Sequence, residues 1–279
     1  MKIPWSGPWR DRGGRLSALR ICALALMTAP ALRLFQMWAM DELGPEPLEY
    51  ATHETGRWAI RLLIVSLAVT PVGKILGWQK LFQLRRMIGL GALAWVSLHA
   101  LLYVGDQNWV LWRVAIEIVT RIYLTIGFVA LVGLAVLGWT STDEWVRRLG
   151  RRWKRLHRLV FPIALLALLH AFIQSKADTS QAVILAGLLI WLLAWRALPL
   201  ERQTSIPLLA TLSVAATFGA VLVEFLWYSA ATNLPAARIA AANLDLTFGP
   251  RPALISGMIA AGFVLLAALR RLAQRLAPA

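Results

Sequence analysis

The sequence predicts an all-α, polytopic transmembrane helical bundle of eight spans, six of them forming a core. Of its 279 residues, 59% are hydrophobic and only 15% are charged, against roughly 25% charged in soluble domains. The apolar residues gather in runs long enough for helices of about 20 residues, the length that crosses a hydrocarbon core of about 30 Å. Charges fall in the short segments between those runs. A net charge of +15 would suggest nucleic acid in a soluble protein. Placed between apolar runs, the cations set membrane orientation instead, so nucleic-acid binding is excluded.

The runs lie at 18 to 40, 57 to 78, 87 to 105, 122 to 139, 157 to 175, 181 to 199, 206 to 230 and 252 to 270. Lys2, Arg10, Arg12 and Arg15 precede the first. A cleaved signal peptide competes for that run, because a basic segment leads into it and "APA" stands at Ala29 to Ala31. Arg20 and Arg33 bracket a run longer than a signal's usual apolar region, and its loss leaves the later topology unchanged. The loop after it, "DELGPEPLEYATHETG", holds five carboxylates and no Lys or Arg. Between the fourth and fifth spans stand Arg147, Arg148, Arg151, Arg152, Lys154 and Arg155. Cations stay on the cytoplasmic side, so both termini are expected there and the acidic loop opposite. The basic loop suits anionic lipid, or docking of a flavin phosphate or an acidic electron donor. The break "LERQTS" separates a core at 1–200 from an appended pair of spans at 201–279, which lacks histidine. No solenoid-type repeat or low-complexity tail provides another domain.

The chain has one cysteine, Cys22, so a disulfide framework and cysteine-held zinc or iron–sulfur are excluded. Four histidines remain. His53 falls in the acidic loop and reads as solvated. His99, His157 and His170 sit within or at the ends of apolar runs, where an ionisable side chain points to function. His99 follows Arg86 by 13 residues and His170 follows His157 by 13, each about 20 Å along a helix axis. The third and fifth spans run in the same direction, which puts His99 and His170 at one depth near the outer face. Two imidazoles from neighbouring helices suit the axial positions of a b-type haem. A single intramembrane histidine also fits a plain hydrogen bond to a neighbouring helix. Zinc or copper asks for more ligands, and no Asp, Glu or Cys accompanies this pair.

His157 lies level with Arg85 and Arg86, near the inner face. Those guanidiniums suit haem propionates or a phosphate, and Met87 offers a thioether for an inner haem or simply packs. His157 and His170 stand roughly 140° apart around an ideal helix. Pro162, between them, is expected to kink it.

"LRRMIGLGALAWVSLHALLY", "TRIYLTIGFVALVGLAVLGWTST" and "LGRRWKRLHRLVFPIALLALLHAF" resemble the MsrQ (YedZ) family over about Ala51 to Arg196. The resemblance implies a ferric-reductase-like core in the bacterial inner membrane, binding heme b on His99, His157 and His170 and associating with FMN. It implies electron transfer from quinol or a cytoplasmic flavin reductase to a periplasmic molybdopterin-containing methionine-sulfoxide reductase subunit. In related ferric reductases a second histidine stands on the third helix, where this chain has Arg85. The last two spans exceed the shorter members of the family. No Gly-rich dinucleotide fingerprint follows a strand, so reducing power is expected from quinol or a separate protein. Rival readings are a cytochrome reducing iron or oxygen at the outer face, and a non-haem transporter or structural subunit, for which Glu224 in the seventh span is the intramembrane carboxylate.

Overall fold

The computed structural model describes residues 7–10, 13–175, 178–247 and 249–276; Lys2 and Arg12 of the basic amino-terminal segment lie outside them. Every named element is helical: α1 Ala18–Ala39, α2 Pro47–Leu76, α3 Leu84–Asp106, α4 Leu111–Thr120, α5 Ile122–Trp139, α6 Asp143–Leu149, α7 Arg151–Leu156, α8 Val160–Gln174, α9 Ser180–Ala197, α10 Ile206–Ala231, α11 Ala236–Ala241 and α12 Pro252–Leu276. Eight helical stretches among the described residues are long and apolar enough to span a membrane. The chain is a multi-pass membrane protein, with its spans at the eight positions expected.

Local sequence explains the punctuation. Thr142 caps α6 by accepting from the Trp145 amide at 3.4 Å, and Asp143 and Glu144 occupy its first turn with Arg147 and Arg148 in its last. That charge order complements the helix dipole. Gly150 then reverses the chain at φ +50°, a left-handed conformation that glycine adopts without a Cβ clash.

Two expectations are corrected, and one further helix is found. His53 is not in a loop: α2 starts at Pro47, well before the apolar run, and His53 pairs with Glu49 one turn back at 3.5 Å. Pro162 does not kink a continuous helix. A 3₁₀ turn at His157–Leu159 leads into α8, leaving Pro162 in the first turn, where a missing N–H costs nothing. Between the third and fourth spans lies α4, too short to cross a membrane. One side of it is packed through Val114, while Trp112, Ile116 and Val119 are exposed.

The chain divides into two compact units, Met1–Ser66 with Gln83–His170, and Leu67–Phe82 with Ala171–Ala279. The division falls inside α2 and at the end of the fifth span. The reason is α9, which packs on α10 and α12. Trp191 of α9 is fully buried and stacks on Phe263 of α12, ring centres 4.3 Å apart, and the Trp195 indole donates to the Gln203 carbonyl at 2.9 Å. The seams use small residues: Gly187 faces Ser256 and Ala220, and Gly257 faces Thr217, as close helix approach in lipid requires.

Two arginines in this second unit supply missing backbone partners. Pro71 has no N–H to give the Leu67 carbonyl one turn back, and Arg196 Nη2 donates to that oxygen at 2.6 Å. At the carboxyl end of α2, Arg270 donates to the Lys74 and Ile75 carbonyls at 3.0 Å each. In a bilayer no water takes their place.

Candidate functional site

In the first unit, α3 buries Ile88, Ala92 and Trp95. The spacing 88, 92, 95, 99 keeps His99 on the same stripe. Trp95 anchors that face, donating from its indole to the Met27 carbonyl of α1 at 3.1 Å and lying 6.3 Å from the Trp58 ring of α2. His99 meets the Thr52 carbonyl of α2 through Nδ1 at 2.7 Å. A carbonyl oxygen only accepts, so Nδ1 carries the proton and Nε2 keeps its lone pair.

His170, on α8, repeats the arrangement with α5. Its Nδ1 donates to the Tyr123 carbonyl at 2.9 Å, and the Tyr123 ring lies 6.4 Å away at 29°. The two imidazoles come together, their ring centres 6.2 Å apart and their planes at 79°. Both are half-buried, and with Nδ1 protonated each keeps a lone pair on Nε2 that can bind a metal. Among the described residues no group of three or more His, Cys, Asp or Glu is placed to hold a metal ion. A centre that takes two imidazoles and draws its remaining ligands from a macrocycle fits this donor set.

His157 is placed apart, 13 residues before His170. Its ring stacks on Trp153 with centres 3.9 Å apart, and its Nε2 meets the Thr140 hydroxyl at 3.2 Å; the Trp153 indole donates to the Thr140 carbonyl at 2.8 Å. Trp153, His157 and Thr140 thus form one latch between α5 and the segment leading into α8. Arg85 and Arg86 are close enough for their charge to act on His157, and Arg86 pairs with Asp143 at 2.6 Å.

Sequence reasoning missed the Thr52 and Tyr123 carbonyls and the Trp153–Thr140 latch. A backbone acceptor leaves no mark in composition. The one available signal is positional: each carbonyl stands 47 residues before its histidine.

This helical membrane bundle is of the ferric-reductase-like class: the family model described as ferric reductase like transmembrane component matches residues 55–168. Relatives narrow this further. The chain is 41% identical over 196 residues to the protein-methionine-sulfoxide reductase heme-binding subunit MsrQ of Rhodospirillum rubrum, covering 70% of this chain and 92% of that protein. It is 41% identical over 186 residues to the subunit of the same name from Xanthomonas campestris pv. campestris, covering 64% and 85%. The chain belongs to the MsrQ family. No solved structure matches it.

Proposed function

We propose that this chain holds a b-type haem between His99 and His170 and conducts electrons across the bacterial inner membrane to a periplasmic molybdopterin-containing methionine-sulfoxide reductase, drawing them from quinol or a cytoplasmic flavin reductase. One observation carries the reading: the 6.2 Å spacing of two imidazoles whose Nδ1 atoms are both committed to carbonyls. A metal held by both imidazoles would need two metal–nitrogen bonds of roughly 2 Å, which with about 1 Å from each nitrogen to its ring centre would ask for ring centres about 6 Å apart. The names of the relatives, each a heme-binding subunit, support the cofactor and the reductase partner.

When bound, haem supplies a one-electron couple whose potential the axial ligands and their surroundings set. The protein does the rest. His99 and His170 present Nε2; the Thr52 and Tyr123 carbonyls fix the tautomer and raise imidazole basicity; and the helices exclude water. Arg85 and Arg86, beside His157, offer guanidiniums to a propionate or to the phosphate of FMN, and FMN itself rests on the family resemblance alone. His157 in this reading serves the inner half of the path. The family model's description favours a second reading, delivery of the electron to ferric iron at the outer face, which copurification of a molybdopterin partner separates from the first.

His99→Ala and His170→Ala are each expected to abolish the low-spin b-haem spectrum of the purified protein, with haem content measured as the pyridine haemochrome. A wild-type spectrum in both variants overturns the assignment.

A further inference from the structure

The two ligand histidines are seated by one device used twice. On α2 the carbonyl that holds His99 belongs to Thr52, and four residues on stands Gly56; on α5 the carbonyl that holds His170 belongs to Tyr123, and four residues on stands Gly127. Each glycine precedes its histidine by 43 residues, so carbonyl, glycine and histidine all recur with an offset of 71. A Cβ on Gly56 would stand 3.0 Å from His99 Nδ1, and one on Gly127 would stand 2.8 Å from His170 Nδ1. The glycine is therefore where the imidazole edge reaches the helix backbone. Within a helix the carbonyl at i already accepts from the amide at i+4, and its second lone pair lies beside that same residue. On α2 that carbonyl also accepts from the Thr55 hydroxyl at 2.9 Å, and a residue without a Cβ leaves room beside it for a side chain from the next helix.

We propose that Gly56 and Gly127 are positioning residues that admit Nδ1–H of His99 and His170 to the Thr52 and Tyr123 carbonyls, and so set the tautomer, orientation and electron donation of both axial imidazoles. This rests on the haem reading above. Helix propensity points the opposite way, since alanine is the better helix former in both places. The glycines are kept out of propensity's reach by the imidazoles they face. A carbonyl partner to a metal-ligating imidazole raises its basicity, and losing such a partner typically costs roughly 10–100-fold in metal affinity. A less basic imidazole donates less to ferric iron, so the reduction potential moves upward.

The test compares Gly56→Ala and Gly127→Ala with Gly89→Ala and Gly262→Ala, where an added Cβ meets nothing within 4 Å. Purified full-length protein is titrated for potential, and its ferric form is examined for low-spin and high-spin signals. The expected result is a positive shift in potential and partial conversion to high spin in both site variants. The effect is larger at Gly127, where the contact is tighter, with both controls at wild type. Wild-type spectra and potentials in Gly56→Ala and Gly127→Ala overturn the proposal while leaving the haem reading intact, provided His99→Ala still loses its haem. Reduced haem content with an unchanged spectrum and potential in what remains marks a merely structural glycine, and overturns it too. Should Gly127→Ala fail to accumulate, the milder Gly56→Ala decides alone. Haem retained in both histidine variants is a separate failure, that of the reading beneath.

Discussion

At the residue scale, the three intramembrane histidines divide by what their nitrogens touch. His99 and His170 spend Nδ1 on a carbonyl and keep Nε2, whereas His157 commits Nε2 to Thr140 and its face to Trp153. Replacing His157 should therefore leave the outer pair undisturbed. His157→Ala is expected to keep the low-spin bis-imidazole signature in the ferric spectrum. Losing one hydrogen bond and one stacked pair lowers stability by about 1–2 kcal/mol, readable as a lower thermal midpoint in detergent. Disappearance of the low-spin signal would put His157 in the outer site. The pair itself was legible in the sequence because helix rise converts residue count into an expected depth, His99 standing 13 residues after Arg86 and His170 13 residues after His157. His53 was misread by the same logic applied too strictly. The apolar run marks where a helix enters lipid, and α2 forms some way before that, from Pro47.

At the element scale, lipid turns each missing backbone partner into a requirement for a side chain. The clearest case is α2, where Pro71 leaves the Leu67 carbonyl without its helical donor and Arg196 of α9 takes that place at 2.6 Å. Arg196→Leu orphans the oxygen and is expected to destabilise the second unit by about 1–3 kcal/mol. In a Pro71→Ala background the helical N–H returns, so the same substitution should cost less. A double-mutant cycle on thermal unfolding measures the coupling. Additive effects would mean that Arg196 acts on something other than this carbonyl. The seams of small residues make a second demand: Gly187→Leu drives a side chain into Ser256 and is expected to cost about 1–3 kcal/mol by overpacking. Spans were readable because composition alone marks a bilayer crossing. The partnership of α9 with α10 and α12 was not, because in an apolar medium the helices that pack together look like those that face lipid. The helix α4 escaped for a different reason: Asp106, Gln107 and Asn108 on one side and Arg121 on the other set it off from the spans, but its ten residues, with Trp112, Ile116 and Val119 exposed, are too few to read as a span.

At the scale of the whole molecule, charge and parity predict one orientation, the one that the proposed electron path needs. Eight spans among the described residues return the chain to the side on which it started. The segment from Arg147 to Arg158, joining the fourth span to the fifth, concentrates cations at one surface, while the stretch from Asp41 to Glu54 carries five carboxylates and no Lys or Arg at the other. Loops rich in Lys and Arg are retained on the cytoplasmic side, so the basic end is expected there. In that orientation the helix directions would put His99 and His170 near the acidic ends of their spans, on the side where the proposed reductase partner would collect electrons, and His157 on the opposite side. A fluorescent protein fused after Ala279 should therefore be bright, and alkaline phosphatase at the same point inactive. Phosphatase inserted between Leu43 and Glu46 should be active. The opposite pattern would place the paired imidazoles beside the cytoplasm, and a periplasmic acceptor would then stand on the wrong side of the membrane from its electron source.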